Sequence, residues 1–369
     1  MLRHRLVILA FVFALVISVA TVPKARSLGS PDFKVFYTAA HFALTEPTNM
    51  YRVSPDRYLY PPSTAILLSP FGLLPYTVAQ WLWHGILGLL LFGFCTLSWP
   101  SFFAMALLTR YLTISFFYGQ INLPVLALLA GAGMWLRTRA EVAGVFWAFA
   151  TSIKVYPAVF APAFLLSKER RGLWAGMGAG ILLLLLPVLL FGPTLAVDLY
   201  RQFFAALGAK GMPLHSHNQS FTALLLRTLT DDHFYLHAVG DEKWTLLQLN
   251  PVFVRALALA IGGTLAVCSW WKVLRKGEGW ATSATAFSVL FLSHIVWKDY
   301  SLLLYFPLLE IFARLPKRQA VQFGAACLAI VTLSSPDIVG HPLSTRLDAA
   351  CVHLWVAVLV WGTWMRLKK

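Results

Sequence analysis

The stretch Ser27-Leu28-Gly29-Ser30-Pro31-Asp32-Phe33-Lys34-Val35-Phe36-Tyr37 sets one carboxylate among aromatics, with a lysine two positions on. A carboxylate within reach of a hydroxyl can take its proton as that oxygen attacks. Cations elsewhere interrupt apolar sequence: Arg110, Lys154, and the turn Ser293-His294-Ile295-Val296-Trp297-Lys298-Asp299-Tyr300. An ionisable group at membrane depth costs a few kcal/mol, so each is a candidate for work. Each also has a plainer reading. Arg110 can snorkel or bond a neighbouring helix, Lys154 can satisfy carbonyls at a helix break, and Lys298 and Asp299 can satisfy each other. One base with several cations suits group transfer from a phosphate leaving group, because a phosphate leaves as an anion that needs charge neutralisation more than a proton. Polar groups also interrupt apolar runs at Tyr118-Gly119-Gln120-Ile121-Asn122 and at His215-Ser216-His217-Asn218-Gln219-Ser220-Phe221. His215 and His217 stand two apart without a neighbouring carboxylate, a poor metal-ligand set, so no metal site is assigned.

The elements that must position these groups are membrane helices. Of 369 residues 59% are hydrophobic and 12% charged, and mean hydropathy is +0.69. Such a chain has lipid for most of its solvent. A net charge of +15 could suit a nucleic-acid partner, but the cations sit between apolar runs, as membrane topology demands, and that partner is excluded. The four cysteines (Cys95, Cys268, Cys327, Cys351) lie in or beside apolar stretches and read as small core residues.

Ten apolar runs are long enough to cross, or nearly so: 6-22, 77-97, 101-118, 121-137, 173-191, 251-273, 281-297, 300-313, 319-333 and 348-365. The first is taken as a retained span rather than a cleaved signal peptide. With both termini in the cytoplasm, just over half of the 30 Lys and Arg fall on the cytoplasmic side, where acids are few. Asp32 then faces outward. Residues 142-166 lie between two basic segments and must dip and return, with Lys154-Val155-Tyr156-Pro157 marking the break. Residues 63-75 read as an outer re-entrant or interfacial piece. The expectation is one all-α domain over 1-369, a polytopic bundle of about 10-12 membrane helices counting re-entrant pieces, whose outer segments 23-62 and 192-250 carry the polar chemistry.

These residues together resemble glycosyltransferase family 87, GT-C-type membrane enzymes that include polyprenol-phosphate-mannose-dependent mannosyltransferases. The resemblance rests on Asp32-Phe33 with Tyr37 and Ala39-Ala40, Met50-Tyr51, Leu59-Tyr60-Pro61-Pro62-Ser63, Ser69-Pro70-Phe71 and Leu74-Pro75. It continues through Gly119-Gln120-Ile121-Asn122, Lys154-Val155-Tyr156-Pro157 and Asn218-Gln219-Ser220. The late turn departs from the family's Ser-Pro-x-Ser-Trp followed by histidines, which leaves open whether His294 or Lys298 replaces them.

The resemblance implies a GT-C-type bundle and an inverting transfer of a hexose, mannose first, from a polyprenyl-phosphate donor to a lipid or glycan acceptor. The setting would be the extracytoplasmic face of a bacterial inner membrane. Asp32 would be the general base. Lys298, His294, Arg110 and Lys154 would bind the donor phosphate, while Lys34, Tyr37, Tyr60, Gln120, Asn122, His217, Asn218 and Gln219 would hold sugar or acceptor. No cofactor is implied, a divalent metal stays open, and the partners are the donor, the acceptor and membrane lipids. The competing readings are a lipid-linked-sugar flippase, for which related halves would be expected, and a GT-C-type oligosaccharide ligase.

Overall fold

Helices account for 83% of the computed structural model, with no strand among the described residues. Those residues are 2-52, 58-209, 214-231 and 246-368. Arg57, Lys210 and Lys243, cations expected on the outer side, lie outside them.

Composition and helix length disagree. Among the described residues four helices are long and apolar enough to cross unbroken, Arg3–Ser27, Tyr76–Leu97, Arg170–Phe191 and Pro251–Lys276, and two bent pairs raise the number to six. The run 101-118 is two helices bent by 68°, and 319-333 continues past a 77° bend into Pro336–Ala349. Asn122–Trp135 has 14 residues, about 21 Å at 1.5 Å per residue and short of the hydrocarbon core. The run 300-313 opens as a 3-10 helix, Lys298–Leu304, before Tyr305–Arg314 becomes α-helical. An apolar run thus specifies burial in lipid or protein, but not one straight rod.

The chain divides into two compact units, Ile8–Gly93 with Thr113–Gly211, and Met1–Val7 with Phe94–Leu112 and Met212–Lys369. In the first, Ala140–Ile153 and Arg170–Phe191 pack through small residues. A Cβ on Gly144 would collide with the Gly172 carbonyl, and one on Gly176 would lie 2.8 Å from the Gly144 oxygen. Small residues at such spacing let helix backbones touch in a membrane, where dispersion rather than water expulsion drives association. Ala140–Ile153 stops where Lys154 turns extended, ahead of the 3-10 segment Tyr156–Phe160. The proline at 157 has no amide to give the Ile153 carbonyl, and its ring would clash with that carbonyl in a continued α-helix. Residues 63-75 form two short helices, Pro62–Leu67 and Ser69–Gly72.

In the second unit, Pro251–Lys276 meets Ala281–Leu292 with similar closeness. A Cβ on Gly262 would strike the Phe291 carbonyl.

Candidate functional site

Asp32 occupies the first turn of the helix Pro31–Thr45. The chain reaches that turn through two left-handed residues, Gly29 (φ 74°) and Ser30 (φ 40°), and Pro31 supplies the first helical φ without wasting an amide donor. Ser30 is fully buried, and its Oγ accepts from Gln80 Nε2 at 2.8 Å. The Gly29 carbonyl accepts from the Tyr76 hydroxyl. A carboxylate in a first helical turn faces unpaired amides at the positive end of the helix dipole, which favours its ionised form. Asp32 is half-buried, and Gln120 Nε2 donates to its Oδ2.

Gln120 arrives there by way of a helix end. Gly119, at φ 67°, follows Thr109–Tyr118; its amide bonds Phe116 O at 3.2 Å and the Gln120 amide bonds Ser115 O at 2.8 Å. That is a Schellman pair, and it needs a residue tolerant of positive φ. Trp83 Nε1 donates to Gly119 O at 2.9 Å. A Cβ on Gly119 would lie 2.6 Å from Phe33 Cβ, so this turn rests directly against the residue after Asp32. Phe33 in turn stacks on Trp83, with centroids 5.3 Å apart.

Five further candidates share this unit. Tyr37 donates to Leu74 O at 2.8 Å. Tyr60 packs edge-on against Phe36 at 4.8 Å, one helical turn on from Asp32. The Lys154 ammonium lies 5.7 Å from the Tyr60 ring centroid and 6.0 Å from that of Tyr156, a cation-π placement for a side chain only 9% exposed. Lys34 is exposed, and Asn122 is buried at the start of Asn122–Trp135.

The second unit holds the remaining candidates. Lys298 donates to Asp348 Oδ2. Its adjacent acid, Asp299, is buried beside it in the 3-10 helix, where consecutive side chains point about 120° apart. The expected mutual neutralisation of Lys298 and Asp299 therefore gives way to a pair 50 positions distant. Burial holds the Lys298 ammonium's pKa below the usual lysine value, against the opposing pull of Asp348. The other Asp348 oxygen lies 3.4 Å from His353 Nε2, and His353 Nδ1 lies 2.8 Å from the Tyr111 hydroxyl. Gln219 bridges the same region, donating to Asp348 O at 2.8 Å while its Oε1 accepts from the His353 amide at 3.3 Å.

Arg110 donates to Val331 O at 2.6 Å and to Ser334 O at 3.1 Å, carbonyls at the end of Lys317–Leu333. A cation is well placed at that negative helix terminus. Asn218 Nδ2 donates to His294 O at 3.0 Å, and Asn218 Oδ1 accepts from the Val296 amide at 3.0 Å. His294 and His217 are exposed. Asp348, His353 and Arg227 escaped the sequence reading. Arg227 gathers the carbonyls of Leu214, His215, Asn218 and Ala349 at 3.0 to 3.1 Å. An acid at the mouth of the apolar run 348-365 was the available signal for Asp348.

Among the described residues no three His, Cys, Asp or Glu side chains gather as a metal-ligand group. A family model, glycosyltransferase family 87, matches residues 58–297. The match begins beyond Asp32 and stops one residue before Lys298. No curated protein and no solved structure matches the chain.

Proposed function

The chain belongs to glycosyltransferase family 87, and from that premise we propose that it is an inverting enzyme taking a hexose, mannose first, from a polyprenyl-phosphate donor at the extracytoplasmic face of a bacterial inner membrane. Membership makes it a glycosyltransferase. The donor, the face and the residue roles are inferred from the chemistry of the side chains.

Asp32 removes the proton of an acceptor hydroxyl on a lipid or glycan. The freed oxygen bonds the anomeric carbon from the side opposite the phosphate, the bond from that carbon to the phosphate oxygen breaks, and polyprenyl phosphate leaves with the electron pair. No second carboxylate is needed, because the phosphate is already a good anionic leaving group. The observation that carries this reading is the placement of Asp32 in a first helical turn, half-buried and held by a side-chain amide. Lys154, over Tyr60 in the same unit, is the first choice for the donor phosphate. Lys298, which donates to Asp348, Arg110, which donates to Val331 O, and His294 stand as further cations for the same role. Lys34, Tyr60, Asn122 and His217 are the side chains proposed to contact sugar and acceptor, while Tyr37, Asn218 and Gln219 already hydrogen-bond backbone groups.

The test uses membrane vesicles carrying the full chain and a radiolabelled polyprenyl-phosphate hexose, with label followed into lipid and glycan fractions. Asp32→Asn lowers transfer by at least about 100-fold, the range of a lost general base. Transfer at the wild-type rate removes Asp32 as the base. Movement of label across the bilayer without transfer supports a flippase instead.

A further inference from the structure

We propose that Gln120 is the positioning residue of the transfer reaction, an amide that aims and holds the Asp32 carboxylate instead of gripping sugar. The inference rests on Asp32 being the base. Gln120 Nε2 donates to Asp32 Oδ2, so the side-chain donor that could serve a sugar hydroxyl is directed at the acid. A neutral amide suits this task, because it orients a carboxylate without adding a charge that the proton transfer would have to overcome.

The backbone behind the amide explains why glycine precedes it. The Schellman bonds of Gly119 and Gln120 fix the direction in which the chain leaves Thr109–Tyr118. The Trp83 indole holds the Gly119 carbonyl, and the missing Cβ allows the turn to sit on Phe33. Phe33 follows Asp32 on the same helix, so the turn that carries the amide and the helix that carries the acid are locked to each other at one residue's distance. The Gly-Gln pair thereby acquires a physical reason: glycine sets the approach and glutamine reaches the acid. The Gln120 Oε1 atom is buried and no hydrogen bond satisfies it. That cost is one a merely structural glutamine would be expected to avoid.

Sub-ångström placement of a reacting group is worth a large factor in rate, and a displacement of about 1 Å can cost roughly 100-fold. Gln120→Met keeps the side chain's length and removes its donor. In the same vesicles, with the polyprenyl-phosphate hexose that the wild-type chain turns over, Gln120→Met is expected to lower kcat roughly 10- to 100-fold while leaving KM for the donor within about twofold. In an Asp32→Asn background the same change is expected to have no further effect on single-turnover rate, since the group it positions is gone. A thermal melt in detergent verifies that Gln120→Met remains folded. Raised KM with unchanged kcat would make Gln120 a sugar contact and overturn the inference, as would an unaltered rate. Equal losses from Gln120→Met with and without Asp32 would overturn it too. Wild-type transfer by Asp32→Asn would instead sink the base assignment itself.

Discussion

Two carboxylates in this molecule are treated in opposite ways. Asp32 sits half-buried in a first helical turn and accepts from a neutral amide. Asp348, whose side chain is 5% exposed, accepts from an ammonium and faces an imidazole backed by a tyrosine. A buried acid paired with a buried cation is costly to separate and poorly suited to trading protons. An acid held by an amide keeps its direction without being neutralised by that partner. The difference teaches that carboxylates of one chain are held by unlike donors, a neutral amide at Asp32 and an ammonium at Asp348. Asp348 and Lys298 close an ion pair within their unit, while Asp32 is held by the Gln120 amide.

The sharpest way to break this comparison is to remove half of the structural pair. Asp348→Ala strands the Lys298 ammonium and is expected to cost about 3–5 kcal/mol, read as a large drop in thermal midpoint of the purified protein in detergent. The double variant Lys298→Met with Asp348→Leu is expected to regain most of that stability, because two apolar groups of similar volume replace the pair without leaving a charge behind. If it does not, the pair has a role beyond packing. Gly119→Ala comes next. It imposes a side chain at positive φ against Phe33, and a cost of about 1–3 kcal/mol is expected in the same melt, with a fall in transfer because Gln120 is displaced. Tyr37→Phe is the smallest, about 0.5–1.5 kcal/mol for the lost bond to Leu74 O, and leaves the Asp32 arrangement in place. A larger loss of transfer than of stability would bring Tyr37 into the substrate's reach.

Much of this was legible in residue types alone. The apolar runs announced helices, and the break at Lys154 was written in Val155-Tyr156-Pro157. Asp32 stood out because it is a lone acid beyond the first apolar run. The bends were harder to read. Leu108 and Gly340 interrupt helices inside or beside apolar sequence, and hydropathy does not sense a local change of dihedral angle. Partners distant in sequence were hidden as well. Nothing in Lys298-Asp299 reveals that the lysine prefers an acid 50 residues away, because the choice depends on the direction a 3-10 helix gives to consecutive side chains. The polar stretch 215-221 was visible as an anomaly, but its use was not. Asn218 and Gln219 spend their amides on the backbone of Val296, His294, Asp348 and His353, and Arg227 closes the same loop.

The glycine seam between Ala140–Ile153 and Arg170–Phe191 has a mechanical corollary. Backbones in contact have no compressible layer of side chains between them, so neither rod can roll or slide on the other without atoms overlapping. A swelling or thinning bilayer must tilt the two as a single spar. Any give between this spar and the 3-10 segment beyond it falls to the extended joint at Lys154, where Ala140–Ile153 ends.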